Sequence, residues 1–320
     1  MQVWLMIEGQ EGVTWDQWVA LAEACEEHGF DGLFRSDHYL SLSHPAERGT
    51  LDAWATLSAL AGLTRRIRMG TLVSPVTFRH PSILAKSVVT ADHASGGRVE
   101  LGMGAGWHEE EHAAYGFPFP PVSERFDILE EQVEIVHRLW DRKEDEVTFH
   151  GKHYQLQGCH ALPKPLQHPH PPLIIGGQGG RRSVRMAVQW ADEYNVHAKT
   201  PQQCREIRDN LTRVCEAAGR EAEEFHFSLM TLTLVGADRR ELESRAGRLL
   251  KRGDDSTDPA TWLAGLGPDR LAGTPEWVLE RLAGYAEAGV ERIMMQHLVH
   301  DDLETLALIG EEIIPEAADL

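Results

Sequence analysis

The chain has 320 residues and a formal net charge of −19, with 42% hydrophobic and 25% charged residues. That length suits one α/β barrel. A charge this negative excludes broad electrostatic binding to nucleic acid or an anionic membrane, so an anionic ligand needs a local positive site. No run approaches the roughly 18 apolar residues of a membrane helix. The apolar start at 1–7 is cut by Glu8 and lacks the basic start of a signal peptide. Cys25, Cys159, Cys204 and Cys215 are scattered with no CxxC. These features predict a cytoplasmic protein with reduced thiols.

Residues 3–7 read as a first strand. A helix follows, with Trp18, Leu21, Ala22 and Cys25 on one face, and Gly29 takes the left-handed cap position before a strand at 32–36. A helix at 53–63 precedes a strand at 67–73 and a helix at 82–93. A strand at 98–102 leads through a loop to a helix at 123–140. Residues 146–156 form a hairpin and 162–172 a Pro-rich link. Then come a strand at 173–176, a helix at 182–191, a strand at 194–197, a helix at 201–218, a strand at 227–235 and a helix at 239–251. Residues 253–273, rich in Gly, Asp and Pro, read as an extended excursion. The helix at 277–288, ended by Gly289, and the strand at 292–296 repeat the first joint: "AEAGVERIMM" answers "EEHGFDGLF". Eight strands with crossover helices imply parallel pairing. The expected fold is an α/β (β/α)8 TIM barrel, one domain over 1–320, with insertions at about 146–172 and 253–273 at its C-terminal face. An open doubly wound sheet is the alternative.

The clearest chemical motif is the strand end Ile174-Ile175 running into Gly176-Gly177-Gln178-Gly179-Gly180-Arg181-Arg182 at a helix start. Glycines let backbone N–H groups approach an anion, the helix start adds free donors and partial positive charge, and a guanidinium fork suits phosphate. The competing reading is a tight turn with two solvated arginines. The glycine spacing is not that of a dinucleotide fingerprint, and Asp192 and Glu193 precede the next strand rather than ending it. A second glycine string, Gly102-Met103-Gly104-Ala105-Gly106-Trp107, ends another strand and leaves room for a flat ligand. Asp37-His38, after the second strand, reads either as an oriented acid/base pair or as a capping Asp beside an exposed His. Glu8 ends the first strand, as a pocket residue or a solvated turn.

Taken together, "GFDGLFRSDHY", "RMGTLVSPVTFRHPSILAKSVVTADHASGGRVELGMGAGW", "EEEHAAYGFPFPPVSERFDILEE", "PPLIIGGQGGRRSVRMAVQWADEYNV" and "TPEWVLERLAGYAEAGVERIMM" resemble the luciferase-like monooxygenase superfamily, and within it the deazaflavin (coenzyme F420)-dependent oxidoreductases. The resemblance covers nearly the whole chain in order. It implies a cofactor ring inside the barrel mouth, its phosphate on 176–182, and a bulged third strand with a non-prolyl cis peptide around Leu72-Val73 behind the ring. It puts Ala105, Gly106 and Trp107 along the pyrimidine side, and Asp37 and His38 near the reactive carbon. The sugar-phosphate dehydrogenases of that group carry a Trp and a Glu where this chain has Leu42 and Trp107. Glu109 and Glu111 lie near but out of register, as candidate pocket residues, so a sugar phosphate is not implied. A pterin substrate is compatible.

The expected activity is hydride transfer between F420 and a small organic substrate, with no metal. The resemblance also implies a homodimer. An FMN monooxygenase using reduced flavin and oxygen is the main alternative, because both cofactors carry a phosphate. A metal-dependent hydrolase is a weaker one: His108-Glu109-Glu110-Glu111-His112 has H-E-x-x-H spacing but no evident third ligand, and His150, His153, His160, His168 and His170 lie off the strand ends. A non-catalytic binding protein on the same fold is the last.

Overall fold

In a computed structural model that describes residues 1–44 and 46–320, strands and helices alternate as the sequence pattern predicts. The strands are β1 (Gln2–Ile7), β2 (Gly32–Arg35), β3 (Arg68–Pro75), β4 (Val99–Gly104), the hairpin β5 (Val147–His150) and β6 (Gln155–Cys159), then β7 (Leu173–Gly177), β8 (Glu193–His197), β9 (His226–Val235), β10 (Leu271–Gly273) and β11 (Arg292–Gln296). The parallel order β9-β11-β1-β2-β3-β4-β7-β8 returns to β9 through a β8–β9 pairing, so the sheet closes into an eight-stranded barrel and the open-sheet alternative falls. β10 adds a ninth strand on the extension of β9 beyond the barrel. No helix among the described residues is long and apolar enough to cross a membrane.

The helices are α1 (Trp15–Glu27), α2 (Ala53–Ala61), α3 (Pro81–Ser95), α4 (Glu109–Tyr115), α5 (Val122–Trp140), α6 (Arg181–Trp190), α7 (Pro201–Ala218), α8 (Arg239–Arg252), α9 (Pro259–Ala264), α10 (Pro275–Glu287), α11 (Leu303–Glu312) and α12 (Ile314–Ala317). Thr14 and Thr200 open α1 and α7 through capping boxes with Gln17 and Gln203. The main core lies between the strands and the helix ring.

Side chains alternate in and out along each strand, so the barrel interior is built in layers. At the N-terminal end Arg292 Nη1 donates to Glu193 Oε2 (2.7 Å) and Glu100 Oε2 (3.0 Å), and Arg68 Nε to Glu100 Oε1 (2.5 Å). The Arg292 guanidinium also lies 4.9 Å from the Trp4 ring. Above this sits an apolar layer of Trp4, Met6, Phe34, Leu72, Ile174 and Met294, joined by Val73 and Met230. Fully burying one such side chain contributes about 1.5–3 kcal/mol. The next interior positions along β1, β8 and β11 are Glu8, His197 and Gln296, which open onto the C-terminal mouth.

The two insertions differ in placement. Residues 146–172 reach the C-terminal side only at the hairpin turn, where the Tyr154 ring lies 5.2 Å from that of His80 and Lys152 Nζ 3.3 Å from Asp127 Oδ2. They join the end of α5 to the start of β7, both at the N-terminal end, and lie along the outer helices: Glu131 on α5 accepts the backbone N–H groups of Lys152, His153 and Tyr154, and Lys164 donates to the Leu139 carbonyl. Residues 253–273 contain α9 and β10 rather than extended chain alone. The helix α8 is not a simple crossover. Its last residue, Arg252, meets the loops after β1, β2 and β11 by donating to the Glu11 carbonyl and contacting His300, while its own carbonyl receives His44 Nε2 and Arg48. This roofs one side of the mouth.

Candidate active site

The loop after β2 carries Asp37 and His38, and their side chains part company. Asp37 is buried and accepts from Ser74 Oγ (2.7 Å) and from Arg79 Nη1 (2.5 Å) and Nη2 (3.2 Å). His38 Nδ1 instead lies 2.8 Å from Glu111 Oε2 on α4. The expected Asp37–His38 pair therefore does not form. Neighbours on an extended segment project to opposite sides, so the carboxylate that meets the ring comes from 73 residues away. Glu111 is fully buried, and its other oxygen accepts the backbone N–H groups of Tyr39 and of Leu40, the latter at 3.0 Å. It thus fixes both the ring and the backbone around it.

Electrostatics reinforce this pairing. Burial alone penalises a charged His38. The hydrogen bond to Glu111 and the charges of Glu111, Glu8 and Asp37 outweigh that penalty, and the ring holds its proton above the ordinary histidine range. Burial likewise opposes the Glu111 charge, but His38 and the two backbone donors hold its carboxyl below the usual carboxylate range. His38 Nε2 has no partner among the described residues, which leaves one nitrogen for a ligand.

The strand β3, paired with β2, is irregular where it approaches the mouth. The Leu72–Val73 peptide is cis, and the β3–β4 register shifts between Thr71 and Ser74. Val73 turns inward over two glycine positions: a Cβ on Gly104 would lie 2.6 Å from Val73 Cγ2, and one on Gly176 3.0 Å from Val73 Cγ1. Gly106 has φ +77°, a left-handed conformation that favours glycine, and turns the chain toward α4. Ala105 is half-buried there, and Trp107 is 61% exposed, its ring 5.6 Å from that of His38.

The glycine loop after β7 leads into α6, whose N-cap Gly180 has no side-chain cap. The N–H groups of Arg181, Arg182 and Ser183 have no acceptor among the described residues, since the first helical bond is Val184 N–H to the Gly180 carbonyl. Gly179 N–H is held by Tyr194 Oη (2.9 Å), and Gln178 is exposed. A Cβ on Gly177 would collide with the Tyr194 hydroxyl. The two arginines are not equivalent. Arg181 is exposed and unpaired among the described residues. Arg182 reaches back to α5, donating to Asp127 Oδ1 (2.7 Å), Glu130 Oε1 (3.0 Å) and Glu130 Oε2 (2.7 Å). Its guanidinium is spent on helix packing, which corrects its expected place in a phosphate fork. Its backbone N–H remains free.

The remaining expected residues divide. Glu8 reaches the mouth, accepting from Gln296 Nε2 (2.6 Å) and Gln10 Nε2 (2.9 Å). Glu109 is exposed in the first turn of α4. Glu111 backs His38 rather than lining a pocket freely. The H-E-x-x-H spacing does not converge, because His112 Nε2 lies 2.6 Å from Thr77 Oγ1 and its Nδ1 2.6 Å from the His108 carbonyl. Near the mouth, His108 Nδ1, from the H-E-x-x-H run, and His197 Nε2, at the end of β8 and not among the sequence candidates, are buried without partners among the described residues. Strand alternation from Glu193 through Asn195 places His197 on the interior row.

A mouth at the C-terminal strand ends, a Gly-rich strand-to-helix joint and a buffered histidine define a ligand-binding (β/α)8 barrel of enzyme type. The family model for luciferase-like monooxygenases matches residues 2–292, and the chain belongs to that family. Among curated relatives it is 28% identical over 325 residues to an F420-dependent glucose-6-phosphate dehydrogenase of Nakamurella multipartita, covering 92% of this chain and 90% of the relative. Among solved structures it resembles the monooxygenase RslO1 of Streptomyces bottropensis (TM-score 0.84, 21% identity, 98% of this chain and 99% of that one). It also resembles the F420-dependent tetrahydromethanopterin reductase of Methanopyrus kandleri (TM-score 0.80, 20% identity, 98% of each chain). At these identities the two structures establish the shared fold.

Proposed function

We propose that this protein is an F420-dependent oxidoreductase that transfers a hydride between the deazaflavin and a small organic substrate such as a carbonyl, imine, alkene or alcohol. The observation that carries this reading is His38, held by buried Glu111 at the mouth with one ring nitrogen left over. The full-length dehydrogenase relative supports the choice of cofactor.

The residues present fit such a group. The free N–H groups of Arg181, Arg182 and Ser183, with Arg181 beside them, would hold its phosphate. Val73 over Gly104 and Gly176 gives a smooth wall for a flat ring, with Ala105 and Gly106 along one edge. When bound, the deazaflavin supplies the two-electron change. His38 Nε2 donates a proton to the substrate oxygen or nitrogen in reduction and accepts it in oxidation, while Glu111 keeps the ring oriented and stabilises its charged form. Glu8, fixed by Gln10 and Gln296, borders the substrate side. The relative's sugar-phosphate substrate is not carried over, because Leu42 and Trp107 stand where that group has its Trp and Glu.

The test is equilibrium binding of F420 and FMN, side by side, to the cofactor-free protein. Tight F420 binding with weak FMN binding supports hydride transfer. The reverse order assigns the protein to oxygen-using flavin chemistry, and binding of neither removes the phosphate site on α6.

A further inference from the structure

Beside the proposed proton path lies a donor set that hydride transfer does not need. Glu111 Oε2 is 2.8 Å from His38 Nδ1 and 3.9 Å from His108 Nδ1, and one ligand atom from each of the three residues lies within 4.8 Å of the other two. His108 Nδ1 is buried with no hydrogen-bond partner, on a side chain only 11% exposed. A buried ring nitrogen without a partner costs free energy that a native fold seldom leaves unrecovered, and this one faces a carboxylate already fixed by two backbone donors.

We propose that His38 Nδ1, His108 Nδ1 and Glu111 Oε2 form a binding site for one divalent transition-metal ion of the zinc class. Two imidazoles and a carboxylate with an open fourth position are the donor set of catalytic zinc and of non-haem iron sites. Tetrahedral zinc with bonds of about 2.0–2.1 Å needs donor atoms about 3.3 Å apart. The observed 2.8 and 3.9 Å straddle that spacing, and the two rings turn toward the carboxylate oxygen to complete it. His108 and Glu111 are spaced i,i+3 at the start of α4 and share a face. The backbone donors on Glu111 Oε1 supply the outer support that orients a ligand carboxylate. Binding displaces the proton shared by His38 and Glu111, so one proton leaves as the ion enters.

The ion and the proton compete for the same atoms. With zinc seated, His38 Nδ1 is a ligand, the ring no longer carries the charge that Glu111 stabilises, and turnover falls until a chelator removes the metal. This consequence, unlike the binding itself, rests on the role given to His38 above.

The full chain, stripped of metal, is titrated with Zn2+ against a chromophoric chelator and separately with Co2+ by visible absorption. The expected result is one Zn2+ per chain, with intense cobalt bands of a four- or five-coordinate ion. His108→Ala, checked for an unchanged thermal melt, is expected to weaken zinc at least as much as the roughly 10–100-fold typical of losing an outer-shell partner. No binding at roughly 100 μM free zinc, a weak aqua-like cobalt spectrum, or equal affinity in His108→Ala overturns the site. The cobalt spectrum of the unaltered protein decides alone if the variant does not fold. Turnover with F420 but no zinc binding overturns the metal site and leaves the hydride-transfer reading intact. Zinc bound at this site with turnover undiminished overturns the role of His38 instead.

Discussion

The two ends of the barrel interior both bury charge, and they treat it differently. At the N-terminal end every charged group has partners: Arg292 bridges Glu100 and Glu193, Arg68 completes Glu100, and Ser228 serves Glu193. Burial and the nearby Glu100 still push the Glu193 carboxyl up against the pull of Arg292. At the C-terminal end the ion pairs Asp37–Arg79 and His38–Glu111 stand beside polar atoms with no partner, His108 Nδ1 and His197 Nε2. A closed network anchors the barrel, because removing one member strands the others. An open one leaves valences for a ligand. The difference locates function at the mouth, although both regions are equally rich in charge.

The largest effect on stability is expected from the closed end. Arg292→Met strips Glu193 of its cation and leaves Glu100 with Arg68 alone, and is expected to cost about 3–5 kcal/mol, read as a lower midpoint in denaturant titration. An unchanged midpoint would mean that the network is not an anchor.

At the open end, Glu111→Gln keeps the shape but removes the charge. It is expected to lower turnover on the order of 100-fold and to bring the His38 titration, followed by histidine C–H NMR, down from its raised value. The same pair gives a pH signature. His38, raised from 6.5, contributes stability that is full below about 6.5 and is lost as pH rises through its folded value. Glu111, lowered from 4.5, contributes stability that is full above about 4.5 and is lost as pH falls through its folded value. The stability difference between the unaltered protein and Glu111→Gln is therefore expected to peak between about 4.5 and 6.5 in denaturant titrations run across pH. A flat difference contradicts the coupling.

The smallest effect separates the two arginines of α6. Arg181→Ala is expected to weaken the phosphate-bearing cofactor about threefold to fivefold, while Arg182→Ala leaves affinity unchanged and loosens only the contact with α5. Equal losses in fluorescence titrations would put both guanidinium groups on the phosphate.

Much of the barrel was legible because its signals are local. Period-two and period-3.6 runs alternate, and Gly29 and Gly289 close two equivalent joints. The β5–β6 hairpin also follows from local pattern. β10 is not legible in the sequence because three residues carry no periodicity, and their pairing depends on where β9 overshoots the barrel. The placement of α8 over the mouth depends on Arg252 meeting loops more than 200 residues earlier in the chain. In the site, the glycines were readable from strand-end position. The partner of His38 was not, since a carboxylate 73 residues away wins over the adjacent Asp37. One available signal was the opposite projection of neighbouring side chains. Another was the i,i+3 spacing of His108 and Glu111, which puts them on one face where His108 and Glu109 are not. The place of the Arg182 guanidinium is not legible in the sequence because its partners, Asp127 and Glu130, lie on another helix.

The central claim is that His38, backed by Glu111, handles the proton while separate backbone groups hold the cofactor. The most direct measurement is F420 affinity and single-turnover hydride transfer in His38→Ala beside the unaltered protein. The account predicts cofactor affinity within about threefold and a transfer rate lower by roughly 10²–10⁴. An unchanged rate at unchanged affinity would contradict it.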